Sequence, residues 1–327
     1  MDLKSIPKVE LHLHLDGSVD ISLASKITGL PIEELKSKMI AKDKCVDLTD
    51  YLTMFDFPIS IMNSKENIKG ISSILAKKLY EENVIYAEVR FAPMLLVNDN
   101  LTLDDIVSSA IEGFNEVPIK INIILCMMRG ASFDDNLQVI KLAKKYINKG
   151  VCAIDLAGAE SLYPTIDYKE LFAIASKENI NYTIHAGESE GYDSLKAAID
   201  FDTKRIGHGI RCIESIELMN LIKEKDIALE VCITSNYQTN AIDSLINHPI
   251  KKLKDNGIKV TINTDNRTVS NVSLIDEYQK LIDILGFSIN DIIEMNMNAI
   301  ECAFISENEK IILKENYKKI LEKNLKN

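Results

Sequence analysis

Four of the five histidines in this chain sit in short motifs whose residue types could do chemistry. His12 and His14 lie two apart in VELHLHLDGS, where Val9, Leu11, Leu13 and Leu15 alternate with Glu10 and the two histidines. A strand points alternate side chains to opposite faces, so both imidazoles share one face. His185 falls in INYTIHAGE, His208 in RIGHG, and an acid, Asp265, in IKVTINTDN. Neutral imidazoles and a carboxylate are natural donors for Zn2+, which leaves room for a water that ionises near neutral pH. Glu188, just beyond His185, can exchange protons beside such a site without taking a coordination position, and His208 can orient or deprotonate the water. Each residue also has a bland role open to it: a hydrogen-bonded core histidine, a strand cap, a tight turn or a helix N-cap. What favours chemistry is their common address on the fold.

That address comes from the elements that carry them. Short apolar, β-branched runs recur at 9–15, 84–93, 119–129, 151–159, 180–188, 205–209, 227–236 and 258–266, separated by amphipathic helical stretches such as LTLDDIVSSAIEGFNE. Alternating strands and helices imply right-handed crossovers and a parallel sheet, and eight repeats imply a closed (β/α)8 TIM barrel. In that fold the C-terminal strand ends surround the active-site mouth, so His12, His14, His185, His208 and Asp265 converge there from across the chain. The long stretch between strands one and two predicts extra helices over the mouth, and residues 271–327 read as a helical tail packed outside. No low-complexity linker interrupts the pattern, so residues 1–327 read as a single barrel domain.

The bulk numbers bound the partners. With 327 residues the chain can bury a substantial core, and a net charge of −11 argues against nucleic acid or an anionic membrane surface as a partner. The six cysteines show no C-x-x-C pair and no regular spacing, which suits reduced core residues better than a disulfide framework. MDLKSIPK lacks the apolar stretch of a secretory signal, and no run is long enough to span a bilayer, so the cytoplasm is the expected location.

Taken in order and spacing, PKVELHLHLDGS, IDLAGAE, HAGES, RIGHG and NTDN resemble the motifs of the adenosine deaminase family from about residue 7 to residue 270, with weaker similarity in YLTMFDF and YAEVRFAP. The resemblance implies one Zn2+ per subunit held by His12, His14, His185 and Asp265. It implies hydrolysis of adenosine and 2′-deoxyadenosine to inosine or 2′-deoxyinosine and ammonia, by addition of water at C6. Glu188 would donate a proton to ring N1, which requires it to be protonated at the start, and a dry pocket favours that form. His208 and Asp265 would hold and polarise the attacking water. The remaining substrate contacts implied are the Gly158 N–H to N3, Asp16 to the ribose 5′-hydroxyl, and Asn266 to N7. The family's commonest pattern has a second aspartate, often followed by proline, where this chain has Asn266-Arg267; an amide donates at any pH, so the donor is preserved. The segment around Leu52 and Phe55 resembles a lid helix.

Other readings differ in identifiable residues. A deaminase of adenine or of a 5′-modified adenosine would place a phosphate, or a group with no proton to give, against Asp16. A binuclear barrel hydrolase commonly bridges its metals with a carboxylated lysine on strand four, and VCAIDLAGA has none. The other zinc deaminase architecture needs H-x-E and P-C-x-x-C ligands, which are absent. A non-catalytic nucleoside-binding barrel would lack a ligand or the acid, and every such position is filled. His248, before Pro249, reads as a surface loop residue, while Arg129 could serve either the site or the scaffold.

Overall fold

In the computed structural model, which describes residues 2–325, eight parallel strands follow one another around a single sheet: β1 (Lys8–His14), β2 (Val84–Phe91), β3 (Lys120–Met128), β4 (Val151–Ala157), β5 (Asn181–Ala186), β6 (Arg205–His208), β7 (Ala228–Val231) and β8 (Val260–Ile262). Each pairs with its sequence neighbour, β4 and β5 only through Ala153–Asn181 and Ile154–Tyr182. The circle closes just past β8, where His14 N–H donates to the Asp265 carbonyl at 2.7 Å and Asp265 N–H to the His12 carbonyl at 3.0 Å. The expected (β/α)8 barrel is therefore the observed architecture. The largely apolar β3 and β4 suit burial on both faces, against lumen on one side and helices on the other.

The helices between strands carry their own start signals. Thr102, Ser273 and Ser288 each form a capping box with an aspartate three residues on, and Ser132 caps Phe133–Tyr146. Between β1 and β2 stand five α-helices, of which Leu48–Leu52 and Asp56–Ile61 lie over the mouth. The tail forms helices Leu274–Asp283, Ile289–Cys302 and Glu307–Leu325 outside the barrel. Its 302–304 turn also reaches the lumen: Cys302 and Phe304 contact Arg205 and Glu88. No helix among the described residues is long and apolar enough to cross a membrane.

Two strand ends differ from the sequence expectation. Apolar character suggested a strand over 227–236, but β7 stops at Val231 and a helix, Ile233–Gln238, follows at once. Apolarity alone does not separate a strand from a buried helical turn. Likewise β8 ends at Ile262, and Asp265 sits in a turn with φ +61°. All six cysteines are free, and five of them are buried.

Candidate active site

The lumen is not an apolar core at this end; it is an ion-pair lattice on which the site rests. Arg90 on β2 reaches across to Glu230 on β7 (2.8 Å) and to Asp155 on β4 (2.8 Å). Arg205 on β6 pairs with the same Glu230 (2.6 Å) and with Glu88 (2.5 Å). All are buried. Against the cost of burial, Arg90 and Arg205 hold the Glu230 carboxyl well below the usual range, so it remains a carboxylate.

Above this lattice the four expected ligands, His12, His14, His185 and Asp265, meet His208. Donor atoms of His12, His185, His208 and Asp265 all lie within 4.8 Å of one another. His14 adjoins them, with Nε2 3.3 Å from His185 Nε2 and 3.4 Å from Asp265 Oδ1. His12 Nδ1 contacts Glu230 (2.9 Å) and His185 Nδ1 contacts Asp155 (2.8 Å), which turns each ring's Nε2 toward the cluster. Against the cost of burial, the His12 imidazole 3.3 Å from Oδ1 holds Asp265 well below the ordinary carboxylate range. His208 and Asp265 both have left-handed backbones, φ +60° and +61°, which bulky or branched L-residues adopt at a cost. The geometry is held by neighbours: Arg267 after Asp265 is pinned by Glu10 and Glu82 (2.8 Å each). The arginine thus anchors a turn that a proline could not anchor through side-chain ion pairs.

A cleft of about 210 Å³ opens beside the cluster, lined by His14, Asp16, Gly158, His185, Glu188, His208, Asp265 and Asn266, and roofed by Leu48, Tyr51, Leu52 and Phe55. The lid-like segment named from the sequence therefore faces the cleft. Glu188 is buried, and burial, then the charges of Asp265 and Glu160, push its carboxyl well above its usual value; its Oε1 has no hydrogen-bond partner. Burial likewise raises Asp16 to about 7. Gly158 takes φ +106° on the cleft wall, a conformation natural to glycine. Asn266 donates one amide hydrogen to Tyr51 Oη (3.0 Å), leaving a second.

A scan against protein-family models matches residues 7–320 to the family described as adenosine deaminase. This chain belongs to the adenosine deaminase family. Curated relatives named adenosine deaminase include one from Clostridium acetobutylicum, 40% identical over 94% of this chain and 96% of that protein. Another, from Clostridium kluyveri, is 39% identical over 94% and 92% of the two chains. Solved structures with the same fold include an adenine deaminase from Arthrobacter aurescens (23% identity, 97% and 99% covered, TM-score 0.87). An amidohydrolase from Burkholderia ambifaria with bound Zn is similar in the same way (20% identity, 99% and 94% covered, TM-score 0.86).

The adenosine deaminase family is zinc-dependent, and the donor set of this member fits that ion. His12 Nε2 is buried with no hydrogen-bond partner and lies 3.3 Å from Asp265 Oδ1, an arrangement that a cation between them would satisfy.

Several supporting residues escaped the sequence reading. Glu88, Arg90, Asp155, Arg205 and Glu230 were unassigned, although YAEVRFAP and IDLAGAE contained three of them. Glu160, also in IDLAGAE, accepts from the N–H groups of Gly187, Glu188, Ser189 and Glu190 at 2.7–3.2 Å and so fixes the loop that presents Glu188. Arg129 serves the scaffold: it donates to the carbonyls of Tyr163 and His185 and to Thr165 Oγ1. His248 is a correction. It is 4% exposed, not at the surface, and its Nε2 lies 3.2 Å from Asn236 Oδ1. Loop position before a proline says nothing about burial when the loop folds under a neighbouring strand end.

Proposed function

We propose that this protein hydrolyses adenosine and 2′-deoxyadenosine to inosine or 2′-deoxyinosine and ammonia, with zinc held by His12, His14, His185 and Asp265. Zinc there supplies the Lewis acidity that makes water a competent nucleophile near neutral pH. Asp16 accepts from the ribose 5′-hydroxyl, the Gly158 N–H donates to N3, and the free Asn266 amide hydrogen donates to N7. Glu188 enters neutral and gives its proton to N1, drawing electrons from C6. Water adds at C6 while Asp265 takes its proton and His208 orients it. The proton held by Asp265 passes to N6, the C6–N6 bond of the tetrahedral adduct breaks so that N6 leaves as ammonia, and the remaining hydroxyl proton returns to Glu188 as the C6 carbonyl forms. The roof segment Leu48–Phe55 limits access of bulk water.

The observation that carries this reading is a neutral-leaning buried carboxyl, Glu188, on the same cleft wall as the histidine–aspartate cluster. Asp16 separates adenosine from the alternatives: a 5′-phosphate meets a carboxyl group at close range, and adenine leaves it without a ribose partner. Glu188→Gln tests the acid directly. It is expected to keep stoichiometric zinc and lose about 10²–10⁴-fold in kcat; near-normal turnover in a zinc-replete variant would remove Glu188 from this role.

A further inference from the structure

Two buried side chains behind His208, outside the cleft, form a line of hydrogen bonds with a fixed direction. The helix Ile250–Asp255 begins with an N–H that has no intrahelical partner. That Ile250 N–H donates to His248 Nδ1 at 3.1 Å. A ring nitrogen that accepts cannot carry the proton, so the neutral His248 ring carries it on Nε2. Nε2–H therefore donates to Asn236 Oδ1 (3.2 Å), which turns the Asn236 amide group toward His208 Nδ1 (3.0 Å). His208 Nδ1 must accept, and its own proton must sit on Nε2, the nitrogen that faces the cluster and lies 3.5 Å from Glu188 Oε2.

We infer that His248 and Asn236 are positioning residues whose relay holds His208 in the Nε2–H form, and so supply the donor that the proposed reaction uses at the attacking oxygen. The contrast with a neighbouring ring carries the argument. His12 Nδ1 is hydrogen-bonded to the Glu230 carboxylate, which calls for a proton on Nδ1 and frees Nε2 to bind a cation; His208 is backed by an amide donor, which calls for the opposite tautomer. Proximity alone would admit His208 to the ligand set in place of His14, and hydrogen-bond direction excludes it. The Ile250 N–H at one end of the line fixes its direction, because a backbone amide can only donate. His248 and Asn236 are positioning residues acting through His208. The inference deepens the proposed deaminase reading and rests on it for the identity of the attacking oxygen.

The test is a long-range proton–nitrogen correlation spectrum of the zinc-loaded protein labelled with 15N-histidine. His208 and His248 are expected to be protonated on Nε2 alone; a proton on His208 Nδ1 overturns the relay. Asn236→Asp offers His208 only acceptor oxygens, so it is expected to move the proton to Nδ1 and lower kcat about 100-fold with little change in KM. If the tautomer switches and kcat holds, His208 does not act as a donor. His248→Gln can restore a donor to Asn236 and is expected to retain the Nε2–H form, whereas His248→Leu lets the Asn236 amide turn and populates both forms. Identical spectra for these two variants overturn the part assigned to His248. A protein with the expected tautomer and no turnover of adenosine would refute the deaminase reading and leave the relay standing.

Discussion

Glu230→Gln probes the support of the cluster. Glu230 Oε2 receives His12 Nδ1 and Arg90, and Oε1 receives Arg205 and Thr183, all without solvent. A glutamine of the same shape keeps one acceptor and presents an NH2 group to the other pair of donors, with two buried guanidinium groups losing their shared counter-charge. Breaking a buried pair by removing one partner costs about 3–5 kcal/mol. For a chain of this length that is a fall in Tm of roughly 6–10 °C, taking about 2 °C per kcal/mol. The same change removes the carboxylate that orients His12, and outer partners of this kind are worth about 10–100-fold in metal affinity. Glu88→Gln is the control, because Glu88 pairs with Arg205, Tyr86 and the Phe304 N–H but touches no imidazole. Thermal melts and zinc competition against a chelator should show both variants destabilised and only Glu230→Gln weakened toward zinc. Equal zinc affinities for the two variants, or a Tm for Glu230→Gln within about 2 °C of wild type, would refute the claim that this lattice holds the site.

Two further expectations come from single residues. Asp16→Ala should raise KM for adenosine while sparing 5′-deoxyadenosine, measured by parallel steady-state assays, and an equal loss with both would remove the 5′-hydroxyl contact. Burial lowers His248 from the usual 6.5 to about 3, so between those pH values the unfolded chain binds a proton that the folded chain refuses. Stability therefore falls on acidification from pH 6.5, by up to about 1.4 kcal/mol per pH unit from this group. His248→Gln should flatten that slope in urea titrations at pH 5 and 6.5; parallel profiles for variant and wild type would contradict it.

The residues around the cleft and the cluster were legible because they occur in pairs and short motifs at strand ends: H-x-H, HAGE, GHG and TDN each announce themselves locally. Their supports do not. Arg90, Asp155, Arg205 and Glu230 are charges scattered one or two to a strand, and only the closed barrel reveals that a residue on β2 meets one on β7. The relay through Asn236 was hidden for another reason. ITSN continued an apolar run and read as strand, whereas the helix beginning at Ile233 turns Asn236 behind His208. His248 lies 40 residues from His208 in the sequence, with nothing in HP to connect them.

The most direct measurement is ultraviolet-monitored turnover of adenosine by the purified protein, with its zinc content determined on the same sample before chelation, after it and after zinc is restored. The account predicts conversion to inosine that disappears with the metal and returns with it, and little activity on adenine. Stoichiometric zinc with no turnover of adenosine, or turnover of adenine in its place, would contradict it.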